Sequence, residues 1–149
     1  MNISNWILKN QPLYDINIGD DLKNTLKKIN SKNFYLVGEN DYGYYYNKNG
    51  YRFGFSDDII DEIGIDLLQT KGEVIIKKGK YKIDLKTAKI HKVLSFLNDI
   101  SIKWTPLATC DRETLTIILD DSKIFFFFDI YEGVLDKISK SNIFSSRLL

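Results

Sequence analysis

A chain that catalyses needs side chains able to move protons, attack carbon or phosphorus, or hold a metal. Here the supply is thin: His91 is the single histidine and Cys110 the single cysteine of 149 residues. His91 stands beside Lys92, one position off an apolar helical stripe, with no orienting carboxylate in its neighbourhood of the sequence. A general base needs such a partner and a pocket. Cys110, in Thr109-Cys110-Asp111-Arg112, would need a base to become a nucleophile, and nothing in the spacing brings it to His91. With one His and one Cys, a zinc site would have to be built almost wholly from carboxylates. Asp57, Asp58, Asp120 and Asp121 lie in turn-like stretches, where Asp is expected for its local hydrogen bonding. No calcium-loop spacing and no glycine-rich phosphate cradle occurs. A carboxylate pair of the glycosidase kind could arise only if Asp61 and Asp136 were brought together. The expectation is a protein without catalytic residues, cofactor or metal.

Charge is more informative than reactivity. The formal net charge is +1, so no global attraction to nucleic acid or an anionic membrane is implied. The distribution is uneven. Asp57, Asp58, Asp61, Glu62 and Asp66 follow one another without a base, and between Lys71 and Lys92 eight lysines face only Glu73 and Asp84. Lys77, Lys80 and Lys82 on one face of a hairpin could track phosphates. They lack interleaved stacking aromatics, since Tyr81 is expected on the opposite, apolar face, and lysines also protect sheet edges from aggregation. An acidic surface made of Asp57, Asp58, Asp61, Glu62, Asp120 and Asp121, with Glu132, would dock on a basic partner. Tyr42 and Tyr45, expected to point away from the core face of their hairpin, are candidate aromatic anchors.

The elements that carry these residues are legible in part. Asp20 is the expected N-cap of a helix whose stripe is Leu22, Leu26 and Ile29, and a second helix begins near Thr87 with Ile90, Leu94 and Leu97. Ser4 could cap a shorter one carrying Trp6, Ile7 and Leu8. Phe34 to Val37 reads as a strand. Asn49-Gly50 between Tyr44–Tyr46 and Tyr51–Phe55 predicts a hairpin with Tyr46 opposite Phe53 and Tyr44 opposite Phe55. Ile59 to Ile65 follows as a strand. Val74 to Leu85 alternates around Lys78-Gly79 as a second hairpin. Ile102 to Trp104, a loop centred on Pro106, strands at Thr114–Leu119, Ile124–Phe128 and Val134–Ile138, and a loose tail from Ser139 complete the chain.

Two runs nearly repeat: Phe53-Gly54-Phe55-Ser56-Asp57-Asp58-Ile59-Ile60-Asp61-Glu62-Ile63 and Phe126-Phe127-Phe128-Asp129-Ile130-Tyr131-Glu132-Gly133-Val134-Leu135-Asp136-Lys137-Ile138. We expect a single α+β domain over residues 1–149: a pseudo-duplicated unit of helix plus antiparallel strands, halves 14–66 and 88–139 joined by a Lys-rich hairpin 73–85, two main helices packed on a largely antiparallel sheet. No long apolar run spans a membrane and no signal peptide is evident, so the cytoplasm is the expected address.

The first half resembles a pattern in small bacterial proteins found beside secreted or contact-delivered toxins. It is carried by Ile16-x-Ile18-Gly19-Asp20, then Leu22, Leu26 and Ile29, then Tyr51-Arg52-Phe53-Gly54-Phe55, an acidic turn, and Ile60-x-x-Ile63-x-Ile65. Such proteins include immunity proteins, which bind the C-terminal domain of a cognate toxin and block it. The resemblance implies a toxin domain as partner, for which a nuclease is expected from the acidic surface, and transfers no individual binding residue. The alternative expectation is a nucleic-acid-binding module using the Lys-rich hairpin.

Overall fold

The computed structural model describes residues 1–29, 33–39, 42–108 and 112–142. Sheet dominates because aromatic and β-branched residues fill alternating positions over most of the chain. Four strands follow the first helices: β1 (Phe34–Glu39), β2 (Tyr42–Asn47), β3 (Tyr51–Ser56) and β4 (Ile59–Asp66). A separate hairpin, β5 (Ile75–Lys78) and β6 (Tyr81–Asp84), precedes β7 (Trp104–Leu107), β8 (Thr114–Leu119), β9 (Phe125–Asp129) and β10 (Val134–Ser141). The large sheet has eight strands, all antiparallel, in the order β1-β2-β3-β4-β10-β9-β8-β7. Two four-stranded meanders therefore meet at their last strands.

The expected pair of main helices on a sheet is not found. Among the described residues the named helices are α1 (Ser4–Lys9), α2 (Leu22–Lys28) and α3 (Ile90–Asp99), of 6, 7 and 10 residues. The stripe Leu22, Leu26, Ile29 supports only two turns before the chain leaves helical geometry at Ile29, at ψ 152°. So short a helix holds through its cap and its packing, not by itself. The cap is Asp21 rather than Asp20: its carboxylate accepts from Asn24 N at 3.0 Å, while Asp20 accepts from Asn17 N at 2.9 Å. The structure is a sheet with a thin cover, not a two-helix layer.

The starts of α2 and α3 are each tied to the turn before the last strand of a meander. Leu22 N donates to Asp58 O at 2.8 Å, and Ile90 N donates to Gly133 O at 2.9 Å. Each last strand carries a bulge at an aspartate, Asp61 between Ile60 and Glu62, and Asp136 between Leu135 and Lys137. The extra residue shifts the alternation, so the aliphatics on both sides of it reach the same face.

That inner face holds the core. Phe53, Phe55, Ile63, Ile65, Ile117, Leu119, Phe126, Phe128 and Ile138 pack with Trp6, Ile7, Val74, Ile76, Val93, Phe96 and Leu97 in one cluster. The small hairpin fills the layer between α1 and α3. Its register is Ile76 opposite Ile83 and Lys78 opposite Tyr81, turning on Gly79-Lys80. Tyr81 shares the face of Ile76 and Ile83, away from Lys77 and Lys82, as expected, but it sits at the hairpin tip and is 38% exposed, with Lys80 Nζ 5.4 Å from its ring centre. Pro106 lies within β7, not in a loop. Phe125 and Phe126 are both buried, as a continuous apolar strand requires. Cys110, and the tail beyond Asn142, lie outside the described residues.

Candidate functional site

The face of the sheet turned away from the helices carries the polar and aromatic chemistry. Its first-meander half is set by one turn. Lys48-Asn49-Gly50 connects β2 to β3, Gly50 at φ +91° donating to Asn47 O at 3.0 Å. Three loop residues instead of two slip the ladder by one: Tyr46 pairs with Arg52, Tyr45 with Phe53, and Tyr44 with Gly54. A one-residue slip exchanges faces. Tyr45 is therefore not an outward anchor. Its ring stacks on Phe53, centroids 5.1 Å apart and planes at 15°, on the core side. Tyr42, Tyr44 and Tyr46 point outward instead, beside Tyr35 and Val37 of β1. Tyr35 and Tyr46 stack at 5.5 Å.

At the centre of this face lies a buried ion network. Glu62 Oε1 accepts from Arg52 Nη2 at 3.0 Å, Lys137 Nζ at 3.1 Å and Ser139 Oγ at 2.9 Å. Glu62 and Lys137 occupy corresponding places, each directly after its bulge; in the β4–β10 ladder they stand opposite Ser141 and Asp66, and their long side chains meet diagonally across the Gly64–Ser139 pair. The Arg52 guanidinium lies 4.4 Å from the Tyr44 ring centre and 5.5 Å from that of Tyr46. Gly54 makes this possible: a Cβ there would stand 2.9 Å from the Tyr44 ring. Burial pushes the Lys137 ammonium down from its ordinary range, against the pull of Glu62 and helped by the Arg52 charge. Burial also pushes the Tyr44 hydroxyl up, with Glu62 raising it further through charge and a hydrogen bond. Arg52 Nε is buried without a partner. Three donors converge on Oε1 of a carboxylate that is only 5% exposed. The cluster fixes the rings above it and the two meanders below it.

The remaining expected residues divide. Tyr42 is 69% exposed at the end of β2, opposite Ser56. Asp57 and Asp58 form the next turn, exposed, at φ +51° and +64°. Asp61 accepts from Ser56 Oγ at 2.6 Å. Glu62 is 5% exposed, so it adds nothing to a negative surface. Asp120 is half-buried and accepts from Thr105 Oγ1 at 2.7 Å; Asp121 is exposed. The strand directions put Asp57, Asp58, Asp120 and Asp121 at one end of the sheet, the two turns about three strand spacings or ~14 Å apart. Glu132 sits at the other end. Asp61 and Asp136 also lie toward opposite ends and form no carboxylate pair. His91 is exposed on α3. Among the described residues no group of three or more His, Cys, Asp or Glu could hold a metal ion, and no helix is long and apolar enough to cross a membrane.

Sequence reasoning missed Tyr44, Tyr46, Arg52 and Lys137. The available signals were the period-two run Tyr42-x-Tyr44-x-Tyr46 and the opposite charges at matching places in the two near-repeats. Compared with known protein families, curated proteins and solved structures, the chain matches none.

Proposed function

We propose that this chain is an immunity-type protein that works in the cytoplasm, binding one cognate toxin domain, a nuclease, and occluding its substrate-binding surface. One observation carries the reading: Tyr42 stands out at the end of an aromatic row and directly beside the acidic turn Asp57-Asp58. Aromatic anchors with a rigid backing are the usual energetic centre of an interface. Adjacent acids favour a basic partner and speed its approach. A nuclease cleft is basic because it grips phosphates. Tyr44, held on Arg52, backs the patch without conformational cost.

The test is titration calorimetry of the full chain against the C-terminal domain of the protein encoded beside it, with nuclease activity followed in parallel. Tight binding and lost nuclease activity are expected. Tyr42→Ala should weaken binding by about 2 kcal/mol with the melting temperature unchanged. Tyr45→Ala should instead lower the melting temperature, because that ring packs on Phe53. No binding to any neighbouring gene product defeats the reading.

A second reading, a nucleic-acid-binding module, draws support from the exposed Tyr81 next to Lys80 and the cross-strand pair Lys77–Lys82. It predicts a gel shift at low salt that disappears with Lys77→Glu, Lys80→Glu and Lys82→Glu together.

A further inference from the structure

The two edges of the large sheet are treated differently by the sequence. In an antiparallel ladder, alternate residues turn their N–H and C=O groups to opposite sides. At the β7 edge, Asp120 N donates to Lys103 O at 3.0 Å, and Trp104 pairs with Leu119. Counting on, Thr105 and Leu107 bond β8, while position 106 faces outward. Position 106 is a proline, so the donor that a further strand would need there is missing. Lys103 adds a charge at the same edge. These are the ordinary means of blunting a strand.

The β1 edge has no proline, and its one charged residue, Glu39, is the last of the strand. Lys48 N donates to Asn33 O at 3.4 Å, and Phe34 pairs with Asn47. By the same count Tyr35 and Val37 bond β2, while Phe34 and Leu36 turn their backbone groups outward. From Phe34 to Gly38 there is no proline and no charge. Tyr35, Leu36 and Val37 are 46%, 52% and 52% exposed, and so apolar surface is presented on both faces. Among the described residues, no strand pairs with the outer side of β1.

We infer that β1 pairs antiparallel with β1 of a second copy of this chain, joining two eight-stranded sheets into one. The strand is complementary to itself. With Leu36 opposite Leu36 of the copy on the two-fold axis, the outward N–H and C=O groups of both are satisfied by each other. Tyr35 then meets Val37 on one face, an aromatic against a β-branched residue, a favourable cross-strand pair. On the other face Phe34 meets Gly38, where no side chain obstructs it. An isologous contact of this kind closes as a dimer and does not propagate; the proline at the β7 edge keeps the joined sheet from growing further. A charged or basic strand has nothing to pair with along Phe34–Gly38, which favours a second copy over an acidic or basic partner here. The patch around Tyr42 and Asp57 remains available, so the dimer is independent of the partner proposed above.

Sedimentation equilibrium under reducing conditions, which exclude a Cys110 cross-link, tests this. The wild-type chain at tens of micromolar should have twice the 17.3 kDa mass of one chain. Leu36→Lys, placing two ammonium groups opposite each other, should raise the dimer dissociation constant about tenfold or more with an unchanged far-UV spectrum. Leu36→Pro, which removes an outward N–H and no bond to β2, should do the same. Thr105→Lys on β7 should leave the dimer intact. A wild-type monomer, or a dimer that survives both Leu36 substitutions, overturns the inference.

Discussion

Glu62 joins the two meanders through one oxygen, and the charges around it do not cancel. Arg52 and Lys137 share a single carboxylate, with side chains 10% and 27% exposed. Removing the carboxylate strands two cations, so Glu62→Ala should cost about 3 kcal/mol in urea unfolding. Lys137→Met should cost far less, because that ammonium is already disfavoured by burial and by Arg52; the two results together show the charge balance directly. Asp136 gives the complementary case. Its carboxyl is raised by burial and by the charges of Asp66 and Asp129. A raised folded pKa means that the ionised form costs stability at neutral pH, and that this cost fades as pH falls through the folded pKa. Asp136→Asn should therefore raise the melting temperature at pH 7, and the gain should vanish in acid, measured as a thermal-unfolding series against pH.

At the scale of elements, the hairpin of β2 and β3 turns on Gly50. A Cβ there would lie 2.6 Å from Thr70 Cγ2 and 2.7 Å from Asp66 O, at a φ of +91°. Gly50→Ala should lose about 2–3 kcal/mol by urea midpoint with the slope unchanged. Gly72→Ala, at φ +82° with nothing within 4 Å, should lose only about 1 kcal/mol. The same turn marks the limit of what sequence could reveal. Asn49-Gly50 announced a hairpin, and the strands fell where alternation put them. The loop length did not follow, because Asn47 accepts from Gly50 N and admits a third residue. That single residue moved Tyr45 inward and Tyr44 outward, and with them half of the candidate site. Helix length failed for a related reason. Apolar spacing shows which face is buried, but the bounds of α2 are set by its surroundings: Leu22 N is taken by Asp58 O at its start, and Ile29 has left helical geometry at its end, at ψ 152°.

The whole molecule adds what no local pattern contains: β4 pairs with β10, with Gly64 opposite Ser139, across most of the chain. The near-repeat hinted that two similar pieces exist; their order in one sheet comes only from long-range pairing. The core likewise ignores the boundary, since one apolar cluster includes Phe53 and Ile63 from one meander and Phe126 and Ile138 from the other. Independent halves would each need a core that neither has alone. Unfolding should therefore be a single transition. The chain's two tryptophans make this measurable. Trp6 on α1 shares a cleft with Ile63. Trp104 lies at the far β7 edge, its indole donating to Asn98 Oδ1 at 3.0 Å. Trp6→Phe, which deletes a buried indole N–H that has no partner, leaves Trp104 as the only indole reporter; Trp104→Phe leaves Trp6. In each variant the indole fluorescence midpoint should coincide with the far-UV circular dichroism midpoint. An indole that reports its own region unfolding ahead of the backbone signal would mean that the meanders come apart separately and that the β4–β10 seam, Glu62 included, does not bind them into one cooperative unit.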